Sequence, residues 1–378
     1  MINLLSELNS QRMLSLTRAA LHGITPDESL FIHIGETEWD ELFEHAVAQN
    51  VMILLLNGTM QLPKELQPPF LLKMRWIASV EAKEKQYQHC LETAEKMSAY
   101  FRKNNVRMLL FKGLALSRLY PIPTSREFED MDIYFCGKAK EGDALLEHIA
   151  QKAPSSKKHV NFICEGIWIE NHHTFLNHNS YNSFHHSEFL EKRLVAILEE
   201  AGMMDEARTD LSDETLLFPP PDFDALYVIL HLLTHLPRGR VLLRHLCDLS
   251  VLFTAYKGKI NFPLYQNTLS EAGLLRASNA YISLSVRYLG LNPEYAPPYE
   301  SDLSLENRIW NDLLNPEVPP LPGEKRTWFN IFIYKTRLFW SSYWKNELVL
   351  PGKYGKRILN SIFYHLFYPE SIGKLQYK

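Results

Sequence analysis

The stretch from Val106 to Phe135, VRMLLFKGLALSRLYPIPTSREFEDMDIYF, constrains the fold more than any other part of the chain. Mostly apolar residues run up to Lys112-Gly113, which reads as a buried strand entering a tight turn. A short helical pattern follows (Leu114, Leu116, Leu119). It stops at Tyr120-Pro121, because the residue before a proline is pushed out of the helical region. A loop bearing Arg126 leads into a second strand, Asp130 to Phe135. Side chains alternate along a strand. Met131, Ile133 and Phe135 are therefore expected to face a core, with Asp130 and Asp132 pointing out on the opposite face. Two carboxylates on one strand face, near a glycine turn and an arginine, suit a divalent cation and a phosphate.

A third acid follows downstream. His159 to Cys164 and Ile167 to Thr174 read as two strands joined at Glu165-Gly166, a hairpin turn. Ile167 and Ile169 share one face of the second strand, so Trp168, Glu170 and His172 share the other. Glu170 is the candidate third carboxylate; its alternative is a surface glutamate on a half-exposed strand.

The order apolar-Lys-Gly-Leu-Ala-Leu, Tyr-Pro, Arg-x-x-x-Asp-x-Asp-Ile, with Trp168-Ile169-Glu170-Asn171-His172 beyond it, resembles the signature of the uncharacterised nucleotidyltransferase family. That family lies within the DNA polymerase beta-like superfamily. The resemblance implies an α+β fold, a small mixed β-sheet of nucleotidyltransferase type between an N-terminal helical cap and a mainly helical C-terminal region. It implies transfer of a nucleoside monophosphate from an NTP to an acceptor it does not name, with pyrophosphate leaving. Asp130, Asp132 and Glu170 would be the catalytic carboxylates and the ligands of two Mg²⁺, with Mn²⁺ as a substitute. Two ions about 4 Å apart can stabilise both the attacking and the leaving oxygen of an in-line displacement. Glu170 would also serve as general base on the acceptor hydroxyl.

Lys112, Gly113 and Arg126 would bind the nucleotide through its phosphates. Each has a plainer role beside that one: Lys112 can pair with an aspartate, Gly113 can be a simple turn, and Arg126 can brace its loop. Where the wider superfamily places Gly-Ser or Gly-Gly, this chain has Gly113-Leu114, with no serine before Ser117. A catalytically weak nucleotide-binding or protein-interaction module is the alternative to an active enzyme.

The rest of the chain reads as helices around this core. Residues 1–104 form the helical cap: a first amphipathic helix, a second from Glu38 to Leu56, and a long third from Leu71 to Asn104. Residues 105–218 form the core, in which Glu141 to Lys152 reads as a helix ahead of a loop at Pro154. A helical domain spans 219–323, where Asp222 is expected to cap a buried helix running to Leu236. Val241 to Tyr256 is its antiparallel partner. His231 and His235 lie four apart, a zinc-compatible spacing, but an apolar helix more often buries such a pair structurally. Arg244 and Asp248 are spaced to pair on one helix face.

The formal net charge of −4 offers no general case for binding nucleic acid. Four cysteines in no CxxC pair read as reduced thiols, and with no signal-like start the expected location is cytoplasmic. Residues 324–378 differ, with ten Lys or Arg against three Asp or Glu among dense aromatics. Such a tail suits docking on the preceding domain, peripheral contact with an anionic membrane, or a polyanion.

Overall fold

The computed structural model describes residues 6–154, 159–176, 186–205, 215–315 and 328–350. The central sheet has five strands in the order β1-β2-β5-β4-β3. They are β1 (Leu109–Phe111), β2 (Asp130–Tyr134), β3 (Gln151–Ala153), β4 (His159–Cys164) and β5 (Ile167–His172). β2 pairs antiparallel with β1 and parallel with β5, so the sheet is mixed. In that parallel register Asp132 lies directly opposite Glu170. The β4–β5 hairpin turns at Glu165 (φ 50°) and Gly166 (φ 82°), two left-handed residues in a row, the geometry that matches strand twist.

Helices α1 (Glu7–His22), α2 (Glu36–Ala48), α3 (Met52–Thr59) and α4 (Phe70–Lys103) form the N-terminal cap. The single helix expected over Glu38 to Leu56 is two. Asn50 adopts a left-handed φ of 52° and breaks it, after which the carboxylate of Glu127 accepts the amide of Met52 at the new start. α4 lies on one face of the sheet, where Cys90, Ala94, Met97 and Phe101 pack with Met131, Ile133, Phe135, Phe162 and Ile169. That is the core face expected from strand alternation.

Between the strands lie α5 (Gly113–Ser117), α6 (Ala139–Ile149) and, after the sheet, α7 (Ser187–Glu200). The helix expected to reach Lys152 stops at Ile149, and Gln151–Ala153 becomes an edge strand on β4. Then come α8 (Pro221–His235), α9 (Leu243–Ala255), α10 (Phe262–Glu271), α11 (Leu275–Leu289), α12 (Leu303–Leu314) and α13 (Trp328–Val349). α8 starts at Pro221, two residues earlier than an Asp222 cap would place it. The carboxylate of Asp222 instead accepts the amide of Asn261 at 2.6 Å.

α8 covers the second face of the sheet. Phe111, Phe175, Phe223 and Tyr227 meet edge to face, with ring centroids 4.9–6.4 Å apart, and Phe223 stacks on Tyr227. Each such pair adds about 0.5–1.5 kcal/mol beyond its buried area. The larger core runs without interruption from Met13 through the sheet to Leu314 and reaches Val349. α13, the described part of the basic tail, docks on this body, with Lys345 paired to Asp312 at 2.5 Å. The proline-rich residues 316–322 and the rest of the tail, 324–327 and 351–378, lie outside the described residues. Among the described residues no helix is long and apolar enough to cross a membrane.

Candidate active site

Strand alternation puts Asp132, Glu170 and His172 on the face that α8 covers. Asp132 is therefore not turned out to solvent as the strand pattern alone suggests: it is 1% exposed. A charge that deep needs partners. Asp132 Oδ1 accepts from Lys112 Nζ at 2.5 Å and from His172 Nε2 at 2.8 Å. Its other oxygen, Oδ2, is buried and meets no donor. His172 is fully buried and edge-on to Phe111, with its second nitrogen 3.3 Å from the carbonyl of Thr174. Its Nε2 is also 3.6 Å from Glu170 Oε2, and His159 Nδ1 approaches the same oxygen to 2.8 Å. The result is a continuous chain, Lys112–Asp132–His172–Glu170–His159.

Asp130, two residues before Asp132 and half-buried, completes the acidic group. Oxygens of Asp130, Asp132 and Glu170 can lie within 4.8 Å of one another. Their environments separate their acidities. Burial and the neighbouring Asp132 charge push Asp130 up to about 6, against the opposing pull of Lys112. Burial works the same way on Asp132, but Lys112 and the hydrogen bond from His172 outweigh it and hold that carboxyl below its ordinary value. For Glu170, too, burial is outweighed, here by His159, His172 and Lys112, so it stays ionised. Lys112 is desolvated, yet Asp132 keeps its ammonium charged.

Lys112 occupies the strand-to-helix junction with φ 57° and ψ −127°, a conformation normally left to glycine. Such strain costs on the order of 1–3 kcal/mol and is held only by its surroundings. Here it swings the ammonium under β2 and onto Asp132. Gly113 has a different reason to be glycine. A Cβ there would lie 3.1 Å from the carbonyl of Asp130 and 3.3 Å from Phe128, so the missing side chain lets α5 sit close against the start of β2.

Arg126 is only 4% exposed. Its Nε and one terminal nitrogen donate to the two oxygens of Asp248 at 2.8 and 3.0 Å, and the other donates to the carbonyl of Gly113. The guanidinium thus ties the 120s loop to α9 and to the glycine turn, the bracing role. Lys112, Gly113, Arg126, Asp130 and Asp132 all line one cavity of about 220 Å³; Glu170 is not among its lining residues. Arg244, His231 and His235 form part of the same wall lining, on α9 and α8.

Two participants gave little signal in the sequence. His172 joins Asp132 to Glu170, and only its place two residues after Glu170 on one strand face pointed to it. Tyr227 packs edge-on to Phe111, with its hydroxyl buried and without a hydrogen-bond partner; it read as one more apolar residue of α8.

A mixed sheet carrying Asp-x-Asp on one strand, with a third carboxylate opposite on the parallel neighbour, defines a nucleotidyltransferase-like site. The family model described as "Uncharacterised nucleotidyltransferase" matches residues 35–290. The chain belongs to that family, consistent with the DNA polymerase beta-like superfamily. No curated protein and no solved structure matches it.

Proposed function

We propose that the protein is a metal-dependent nucleotidyltransferase that moves a nucleoside monophosphate from an NTP to an acceptor and releases pyrophosphate. The observation that carries this reading is the convergence of Asp130, Asp132 and Glu170, whose oxygens lie within 4.8 Å of one another, together with the buried, unpartnered Oδ2 of Asp132. A buried polar atom left without a partner costs about 1–3 kcal/mol, more when charged. Three carboxylates form a hard oxygen donor set, which fits Mg²⁺ or Mn²⁺ better than a soft ion. Divalent ions held there would neutralise charge on the phosphoryl oxygens and on the acceptor oxygen.

The chain's own groups divide the remaining work. Asp132 is the anchor, ionised because Lys112 and His172 hold it so. Asp130, raised to about 6, carries its charge at neutral pH at a cost that a bound cation would offset. Glu170, kept ionised by two imidazoles, accepts the proton of the acceptor hydroxyl. Lys112 supplies positive charge beside the phosphates. The cavity falls below the roughly 300–1,000 Å³ of a typical small-molecule pocket, so it takes the triphosphate end of the nucleotide while base and sugar lie outside.

The test is a panel of the four NTPs with Mg²⁺ or Mn²⁺, read by pyrophosphate release and by mass spectrometry for any nucleotidylated product, the protein included. Asp130→Asn is the informative variant, because removing the buried Asp132 would also strand the Lys112 ammonium. Release that depends on Asp130 in a protein that still melts normally supports the reading. Tight NTP binding with no turnover would identify a nucleotide-binding module instead.

A further inference from the structure

The cavity lining includes a guanidinium, Arg244, whose hydrogen bonding is incomplete. Asp248 is already engaged at both oxygens: Tyr120 Oη and Arg126 Nε donate to Oδ1 at 2.7 and 2.8 Å, and Arg126 donates again to Oδ2 at 3.0 Å. Arg244 comes no closer to that carboxylate than 3.7 Å, beyond hydrogen-bond reach. Its Nε is buried and meets no acceptor. Two guanidinium groups therefore share one carboxylate that the first has taken, and the sequence spacing that pairs Arg244 with Asp248 is not realised as a hydrogen bond. Burial and the repulsion of Arg126 lower the pKa of Arg244, with Asp248 and Asp130 opposing.

The neighbouring imidazoles point to the same deficit. His231 and His235 approach Nε2 to Nε2 at 3.2 Å, and His245 packs behind them with ring centroids 6.0 and 5.2 Å away. Three histidines so placed look like a cation site. The hydrogen bonding of His245 argues otherwise. Its Nδ1 accepts the amide of Leu242 at 2.9 Å, so in the neutral ring the proton sits on Nε2. That buried nitrogen is then an N–H donor with no acceptor, not a lone pair for a metal. Arg126 and Arg244 beside it would repel a cation further.

We propose that Arg244, flanked by His231 and His235, is a phosphate-binding seat in the cavity that Asp130 and Asp132 also line. The planar fork of Arg244 matches a phosphate oxyanion, and its Nε is the donor the fold leaves unused. The phosphate is either the distal end of the NTP or a phosphate on the acceptor. This choice of sources rests on the nucleotidyltransferase reading; the anion seat itself does not.

The experiment measures, by calorimetry in Mg²⁺, binding of inorganic tripolyphosphate, which carries no nucleotidyl group and so reports binding whether or not the protein transfers one. A second arm titrates inorganic phosphate into protein saturated with a non-hydrolysable NTP analogue. Arg244→Gln should weaken at least one of these about tenfold or more, the loss expected for a charge-assisted hydrogen-bonded contact. A loss in the first arm assigns the seat to the NTP tail; a loss confined to the second assigns it to the acceptor. Should Arg244→Gln melt early, Arg244→Lys, which keeps the charge but not the fork, and His231→Asn take its place. Unchanged binding in both arms overturns the proposal, as does stoichiometric Zn²⁺ binding lost in His231→Asn. If the nucleotidyltransferase reading fails, so that Asp130 holds no metal, Asp130→Asn leaves tripolyphosphate binding unchanged while Arg244→Gln still weakens it.

Discussion

Asp132 on β2 lines the cavity and Asp248 on α9 holds Arg126, which lines it too; they are 1% and 4% exposed, and their surroundings differ in kind. Asp248 has three donors spread over both oxygens, two of them from the single fork of Arg126. Asp132 has two donors on one oxygen, none on the other, and two further carboxylates facing it. Depth of burial and residue type are shared, so neither distinguishes a brace from a ligand. Completeness of pairing does. A carboxylate whose hydrogen bonds are all made inside the fold has nothing left to offer, whereas an orphan oxygen among like charges is a place the fold leaves for something positive.

The largest effect should come from dismantling the complete side of this comparison. Asp248→Ala leaves Arg126 and Arg244 buried together with no carboxylate between them. Breaking a buried pair from one side typically costs about 3–5 kcal/mol. Urea denaturation should show a loss of that order; a loss under about 1 kcal/mol would mean that Asp248 is no brace. On the incomplete side, Asp130→Asn should lower nucleotidyl transfer by at least about 10²–10³-fold, or about 3–4 kcal/mol in the barrier. It should not destabilise the protein at neutral pH. Because the Asp130 carboxyl is raised to about 6 in the fold, its favourable contribution is present below its unfolded value near 4 and is lost as pH rises through 6. Above that pH its charge is a cost, and asparagine removes it. A melting temperature that falls at pH 8 would place Asp130 with Asp248 instead.

Alternation made much of this site legible. It separated Met131, Ile133 and Phe135 from Asp130 and Asp132, and Ile167 and Ile169 from Glu170 and His172, and the packing keeps both separations. What it could not supply was register. That Glu170 lies opposite Asp132 depends on β2 pairing parallel with β5, a contact between segments some forty residues apart. Nor could it say what covers a face, so Asp132 read as exposed until α8 was laid over it. The i,i+4 spacing of Arg244 and Asp248 was visible, but Arg126, 122 residues away, reaches both oxygens of Asp248 and displaces the local partner. The break between α2 and α3 was hidden because apolar residues continue through Ile53 to Leu56; only Asn50, a residue that tolerates left-handed φ, marked it. β3 carries almost no pattern, since Gln151 and Lys152 are exposed and the strand is held by backbone pairing with β4.

Asp224 on α8 sharpens the comparison, because it is buried like the other two and its pairing is intermediate. Its Oδ2 accepts from Tyr256 at 2.9 Å, while Arg118 stays 3.8 Å away and donates instead to the Tyr256 hydroxyl. Burial pushes its carboxyl up to about 7, with Arg118 and the tyrosine hydrogen bond opposing. A raised carboxyl contributes stability below its unfolded value near 4 and loses it as pH climbs through 7. Asn at this position keeps an oxygen for Tyr256 and carries no charge, and Arg118, 35% exposed, can turn to water. Asp224→Asn should therefore be near neutral at pH 5 and more stable than the parent at pH 8.5, by on the order of 1–3 kcal/mol. The same change at Asp248 should destabilise at both pH values, because there the charge is fully met. If Asp224→Asn also destabilises at both, Arg118 compensates the charge across 3.8 Å, and completeness of hydrogen bonding is not what divides these carboxylates.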